Sequence, residues 1–247
     1  MHPPAGDEIA YVVSDSTPSW VRAVDVRTGV VRDVADCGRC VLDNVQLAWS
    51  PDGAIIAVDS GTSGIWTVLA HPAPVIADGS GVVQLLSITG RDPSFSRDGK
   101  HLMYVDASRR VAIVDAQNGS GPRVLSFHDV WWAAWSPDGT RIAYVVDPLD
   151  PRYHGGGDPY VAQMWVADLD GKHRTLLHEI PRCCIGGLVE PPTWSPDGRS
   201  LAWLAPIPPR SAPDDLVLVD RDGSKTVDVR IGLAGVTPTW LGDGRSP

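Results

Sequence analysis

Trp194-Ser195-Pro196-Asp197-Gly198, followed by the alternating run Arg199-Ser200-Leu201-Ala202-Trp203, decides the fold, because close copies of it recur along the chain. The copies are Trp49-Ser50-Pro51-Asp52-Gly53, Phe95-Ser96-Arg97-Asp98-Gly99, Trp135-Ser136-Pro137-Asp138-Gly139 and Trp240-Leu241-Gly242-Asp243-Gly244. In each, an aromatic residue closes a short strand and the glycine accepts the positive φ of a tight turn. Proline, where present, fixes φ ahead of that glycine, and alternating apolar residues then begin the next strand. The aromatic positions 49, 95, 135, 194 and 240 lie 40 to 59 residues apart, the length of one four-stranded propeller blade.

Working outward from the turns, the second strands fall at Ile55 to Val58, Leu102 to Val105, Ile142 to Val146 and Leu201 to Leu204. Third strands run into a further set of turns, Asp25-Val26-Arg27-Thr28-Gly29, Asp115-Ala116-Gln117-Asn118-Gly119, Asp168-Leu169-Asp170-Gly171 and Asp220-Arg221-Asp222-Gly223, each followed by a fourth strand. The repeat that begins at Trp49 has Ala70-His71-Pro72-Ala73-Pro74 at that place, with no glycine to turn on. Gly6 to Val12 resembles the segment after a Ser-Pro-Asp-Gly turn but follows no aromatic strand, and the C-terminal copy at Trp240 supplies one. The two ends are therefore expected to share a blade. The expected fold is all-β, a single domain over residues 1–247, forming a five-bladed β-propeller closed by its N- and C-terminal strands. Such closure removes sheet edges that template aggregation.

Composition narrows the function classes. Lys+Arg 21 against Asp+Glu 30 gives a formal charge of −9, and no basic patch stands out, so a nucleic acid is not an expected partner. No run approaches the roughly 18 apolar residues of a membrane span, so no membrane insertion is expected. Met1 to Asp7 has neither the basic head nor the apolar core of a signal peptide. Hydrophobic residues make up 43%, enough for a core, while Gly 25 and Pro 22 punctuate many short strands. A soluble monomer is expected.

The Trp-Ser-Pro-Asp-Gly copies resemble the TolB-type propeller repeat, a relative of WD-type repeats, over nearly the whole chain. TolB-like propellers usually have six blades, so the resemblance holds a six-bladed alternative open beside the count of five. It implies a binding scaffold, often extracytoplasmic, and resembles the propellers attached to prolyl-oligopeptidase-like hydrolases, although no hydrolase domain is present in this sequence. The motif residues are turn and packing positions, so the resemblance transfers no catalytic residue.

In a propeller, the loops from a blade's fourth strand to the next blade's first share a face with the loops joining second to third strands. The irregular stretches fall there: Cys37-Gly38-Arg39-Cys40, Gly79 to Arg91, His128-Asp129-Val130, Asp147 to Tyr160, His178 to Cys184 and Ala205 to Asp214. Trp131, Trp132, Tyr153 and Tyr160 are candidates for stacking on a ligand or anchoring a partner. Trp132 also reads as a core residue beside the first strand. Tyr153 sits in Arg152-Tyr153-His154-Gly155-Gly156-Gly157, too glycine-rich for a strand. His128, His154 and His178, with Asp158, complete the candidate ligand-binding set, since histidine titrates near neutrality and ligates metals, although their spacing matches no metal motif.

The cysteines Cys37, Cys40, Cys183 and Cys184 admit three states: disulfides within or between two loops, free thiols, or four thiolates on zinc. No cofactor is otherwise expected. Asp168 to Gly171 and Asp220 to Gly223 lack the remaining ligands of a calcium loop and read as hairpin turns. Ser50, Ser136 and Ser195 are not set in Gly-x-Ser-x-Gly, so no nucleophile elbow is present. The leading expectation is a non-enzymatic module that recognises a protein, peptide or small ligand through its loop-rich face. The competing expectation is a metal-assisted hydrolase or lyase using the histidines there.

Overall fold

The computed structural model describes residues 8–13, 19–38, 46–59, 65–69, 82–146, 161–181, 192–205 and 214–233. Every regular element among them is a β-strand. The strands form separate antiparallel meanders in which sequence neighbours pair. The first holds β1 (Glu8–Val13), β2 (Ser19–Asp25) and β3 (Val31–Gly38). The second holds β4 (Gln46–Trp49), β5 (Ile55–Asp59), β6 (Ile65–Leu69) and β7 (Val82–Ile88). The third holds β8 (Gly90–Phe95), β9 (His101–Asp106), β10 (Val111–Asp115) and β11 (Arg123–Val124). The fourth holds β12 (Val130–Trp135), β13 (Arg141–Val146), β14 (Val161–Asp168) and β15 (Thr175–Pro181). The fifth holds β16 (Thr193–Trp194), β17 (Ser200–Ala205), β18 (Asp214–Asp220) and β19 (Thr226–Leu233).

The sequence periodicity follows from burial. A strand covered on both faces reads as a continuous apolar run. In β9 the four residues Leu102 to Val105 are all buried, and in β13 so are Ile142 to Val146. The last strands β3, β11, β15 and β19 of their sheets have one face in water, and Val31, Val124, Leu176, Val227 and Val229 are exposed on them.

The chain divides into two compact units. In the first, built from residues up to 107 together with 112–124, one cluster joins Val21 and Ala23 of β2 to Trp49, Ile56 and Val58. A second joins Ala57 and Ile65 to Leu102, Tyr104 and Val114. In the second unit, Ala143, Val145, Met164 and Val166 pack with Trp194, Leu201 and Trp203. The motif tryptophan of the fifth sheet reaches into the fourth, where Trp194 Nε1 donates to the Ala134 carbonyl at 3.3 Å.

Each Ser-x-Asp-Gly turn is closed by its own side chains. Ser195 Oγ donates to Asp197 Oδ1 at 2.6 Å and accepts the Ser200 N–H at 2.9 Å. Asp197 Oδ1 also accepts the Arg199 N–H at 3.0 Å, and Gly198 takes φ 66°. The turns at Ser50, Ser96 and Ser136 repeat this network. The acidic hairpins are likewise turns rather than ion sites, since Asp170 Oδ1 accepts the Lys172 N–H and Asp222 Oδ1 the Ser224 N–H, both at 2.9 Å.

Three expected loop assignments are corrected. Val82–Ile88 is the strand β7 and Gly90-Arg91 opens β8, so most of the stretch from Gly79 to Arg91 is paired strand. His178 to Pro181 belong to β15, and Cys37-Gly38 to β3. In each case the backbone donors and acceptors continue a ladder with the neighbouring strand, which outweighs the loop-like composition. The expected terminal closure involves residues 237–247, which lie outside the described residues.

Candidate functional site

In the second unit, the turn that joins β9 to β10 meets the segment that leads into β12. The Arg109 guanidinium lies over the Trp131 ring, 4.7 Å from its centroid, an arrangement favoured by the ring's negative face. Its Nη2 donates to the Asp129 carbonyl at 3.0 Å, Nη1 lies 3.7 Å from Asp129 Oδ1, and the Val130 N–H donates to the Arg109 carbonyl at 2.9 Å. Arg109 and Asp129 both have φ 59°, a left-handed conformation that costs energy without glycine. The arginine therefore clamps the entry to β12 and sets the indole. His128 beside it is exposed and Trp131 is half-buried. An indole, an imidazole, a guanidinium and a carboxylate at one strand entry supply stacking together with donors and acceptors for a polar ligand.

The other described candidates lie elsewhere in that unit. Trp132 is half-buried against the cluster containing Trp194 and Trp203. His178, in β15, meets the fully buried Trp203 edge-on, with centroids 6.0 Å apart and planes at 81°. Among the described residues, no group of three or more His, Cys, Asp or Glu is placed to hold a metal ion. Tyr153, His154, Asp158, Tyr160, Cys40, Cys183 and Cys184 lie outside the described residues. Cys37 is placed in β3 by its backbone.

The first unit holds an acidic pair that sequence reasoning missed. Asp59, at the end of β5, is buried. The Asp92 N–H donates to Asp59 Oδ2 at 3.1 Å, from a bulge in β8 where Asp92 itself has φ 56°. Arg91 Nε lies 3.5 Å from Asp92 Oδ2. Burial raises the Asp92 carboxyl to about 7, with Arg91 opposing and Asp59 adding to the rise. The sequence signals were slight: Asp92 precedes Pro93, and Arg109-Arg110 stand at a turn without glycine.

No protein-family model matches the chain. A stretch of 159 residues is 25% identical to the uncharacterized peptidase YuxL of Bacillus subtilis (strain 168), covering 60% of this chain and 22% of that protein. A stretch of 66 residues is 38% identical to the Tol-Pal system protein TolB of Histophilus somni (strain 129Pt), covering 27% of this chain and 12% of that protein. The chain thus matches less than a quarter of the length of either curated relative. Among solved structures, TolB from Acinetobacter baumannii superposes with a TM-score of 0.67 over 94% of this chain and 53% of that one, at 18% identity. Antiparallel meanders that carry the repeated Ser-x-Asp-Gly turns between paired strands, together with this superposition, give the chain a TolB-like β-propeller fold.

Proposed function

We propose that this chain is a non-enzymatic binding module, a single five-bladed propeller, which recognises a protein or peptide segment at Trp131 and the groups around it. The observation that carries the reading is the Arg109 clamp, which spends two left-handed residues on holding one indole at a strand entry. Strain of that kind is retained where a side chain must be positioned, and aromatic side chains beside arginine dominate binding energy at protein interfaces. Repeated scaffold turns elsewhere hold structure and leave recognition to such sites. One curated relative is named for the Tol-Pal system, which fits a protein partner and an extracytoplasmic setting for this chain. From the sequence, Tyr153, His154 and Asp158 are further proposed ligand-binding residues, and Cys37, Cys40, Cys183 and Cys184 are proposed as disulfide or metal candidates.

The test is capture of partners from the source organism by immobilised wild-type protein and by Trp131→Ala and His128→Ala variants whose circular dichroism is unchanged. Loss of the captured partner in Trp131→Ala supports the reading. Undiminished capture by both variants removes this surface from consideration.

A further inference from the structure

We infer that Arg174, on the hairpin between β14 and β15, is a positioning residue for the Trp131 surface: it pins residues 126–130 in the conformation that presents His128 and Trp131. Its bearing on binding rests on recognition at Trp131, whereas the pinning stands on contacts within the second unit. The pinned segment leaves β11 and enters β12. Both of its ends are tied to the residues around the start of β10. The Leu125 N–H donates to the Val111 carbonyl at 2.8 Å, and the Val130 N–H to the Arg109 carbonyl at 2.9 Å.

Arg174 reaches the segment between those ties from 48 positions away. Its Nη2 donates to the Ser126 carbonyl at 3.0 Å and to Ser126 Oγ at 2.7 Å. Its Nε donates to the Gly171 carbonyl at 3.0 Å, which fixes the guanidinium within its own hairpin. The same guanidinium lies over Phe127, 4.9 Å from the ring centroid. Tyr144 of β13 stacks on Phe127 with centroids 4.1 Å apart and planes at 10°, so it covers one face of the ring and leaves the other to Arg174. Both rings are buried. The hairpin also closes on the segment at Gly171, where a Cβ would stand 3.4 Å from Ser126 Oγ and 3.6 Å from the Phe127 ring.

Buried Phe127 and exposed His128 are neighbours, so the stack that holds the one leaves the other facing solvent. Beyond His128, Asp129 takes its left-handed φ of 59°, and Arg109 holds its carbonyl at 3.0 Å. A strained residue of this kind persists where its surroundings over-determine it. Arg174 fixes the chain before Asp129, and Arg109 fixes it at and after that residue. A surface ordered before binding spares the complex the cost of ordering it, and loosening it lowers affinity in proportion to the fraction that stays correctly placed. A partner therefore meets a preformed surface.

The experiment is amide hydrogen exchange of residues 126–130 and of β13, with the indole N–H resonance of Trp131, on wild type and Arg174→Ala. Protection of residues 126–130 is expected to fall by about tenfold or more, the loss of a charge-assisted hydrogen bond, with the Trp131 resonance displaced and β13 unchanged. Protection of residues 126–130 that is unchanged, or lost equally throughout β13, overturns the inference, and so does an unmoved Trp131 resonance. Should Arg174→Ala fail to fold, Arg174→Lys, which keeps the charge and loses the planar fork, is read by the same criteria. Capture of the partner that wild type retains is the second readout. Weaker capture by Arg174→Ala supports the positioning role, and full capture by it where Trp131→Ala has lost the partner overturns that role. Undiminished capture by Trp131→Ala is instead the failure of recognition at this surface, and hydrogen exchange then decides the pinning by itself.

Discussion

Ser136 Oγ donates to Asp138 Oδ1 at 2.7 Å while accepting the Arg141 N–H at 2.9 Å, so one buried hydroxyl ties the turn's carboxylate to the first residue of the next strand. The carboxylate accepts the Thr140 N–H at 2.9 Å as well. Ser136→Ala leaves the Arg141 amide and the Asp138 carboxylate each short of a partner. It is expected to cost about 1–2 kcal/mol, since each hydrogen bond is worth roughly 1 kcal/mol. Denaturant unfolding checks this, and Thr140→Ala, which removes an exposed side-chain bond, serves as the mild control.

The same turn carries an acid limit. The Ser136 hydroxyl, then the Thr140 amide, hold Asp138 down to about 2. Asp52, Asp98 and Asp197 are lowered by their own serines in the same way. A carboxyl lowered on folding contributes stability above its unfolded value of 3.8, and that contribution disappears as pH falls through the folded one. Stability is expected to drop between about pH 4 and pH 2, and Asp138→Asn is expected to flatten part of that drop in a pH series of unfolding midpoints.

Two glycine substitutions separate backbone strain from steric exclusion. Gly29 has φ 71° with open space where a Cβ would go, so Gly29→Ala is expected to cost only the left-handed conformation, about 1 kcal/mol. At Gly90 a Cβ would overlap the Tyr104 ring and lie 2.7 Å from the Val105 carbonyl oxygen. Gly90→Ala therefore requires β8 to move off β9 and is expected to lower stability by at least about 2 kcal/mol. Thermal unfolding of the pair, in one buffer, gives the comparison.

Arg109 and Trp131 are expected to be energetically coupled. A double-mutant cycle with Arg109→Ala and Trp131→Ala should return a coupling of about 0.5–1 kcal/mol, the range for a partly exposed cation over an aromatic ring. A coupling indistinguishable from zero would mean that the guanidinium serves Asp129 rather than the indole.

Trp203 tests the core of the second unit. It is fully buried among Met164, Trp194 and Leu201, and Trp203→Ala is expected to cost about 3–5 kcal/mol. Chemical unfolding measures the loss, and removal of the His178 ring contact should appear as a shift of the His178 imidazole resonances.

Much of the architecture was legible in the chain. The strands ending at Trp49, Phe95, Trp135 and Trp194, the glycine turns after them and the buried runs of β9 and β13 are local patterns, set by residues within about ten positions of one another. The strand β7 was read as a loop because the repeat at Trp49 carries Ala70-His71-Pro72-Ala73-Pro74 where the other repeats carry a glycine turn, and its pairing with β6 defines it. His178 reads as a loop residue next to Pro181 and Cys183, yet its register opposite Met164 places it in a strand. Trp132 carried both a core and a ligand reading, and its packing against the Trp194 and Trp203 cluster places it beside the core.

By itself the sequence determined an all-β chain of repeated four-stranded units and the turns that join them, because φ preferences and alternating hydrophobicity act between near neighbours. Only the tertiary structure decided which polar residues meet. Arg109 comes over Trp131, 22 positions away, and the Asp92 amide meets Asp59 Oδ2, 33 positions away, where left-handed residues turn the backbone. Such meetings depend on contacts between segments far apart in the chain. No periodicity in the chain encodes those contacts, and they arise only when the buried strands pack within each unit.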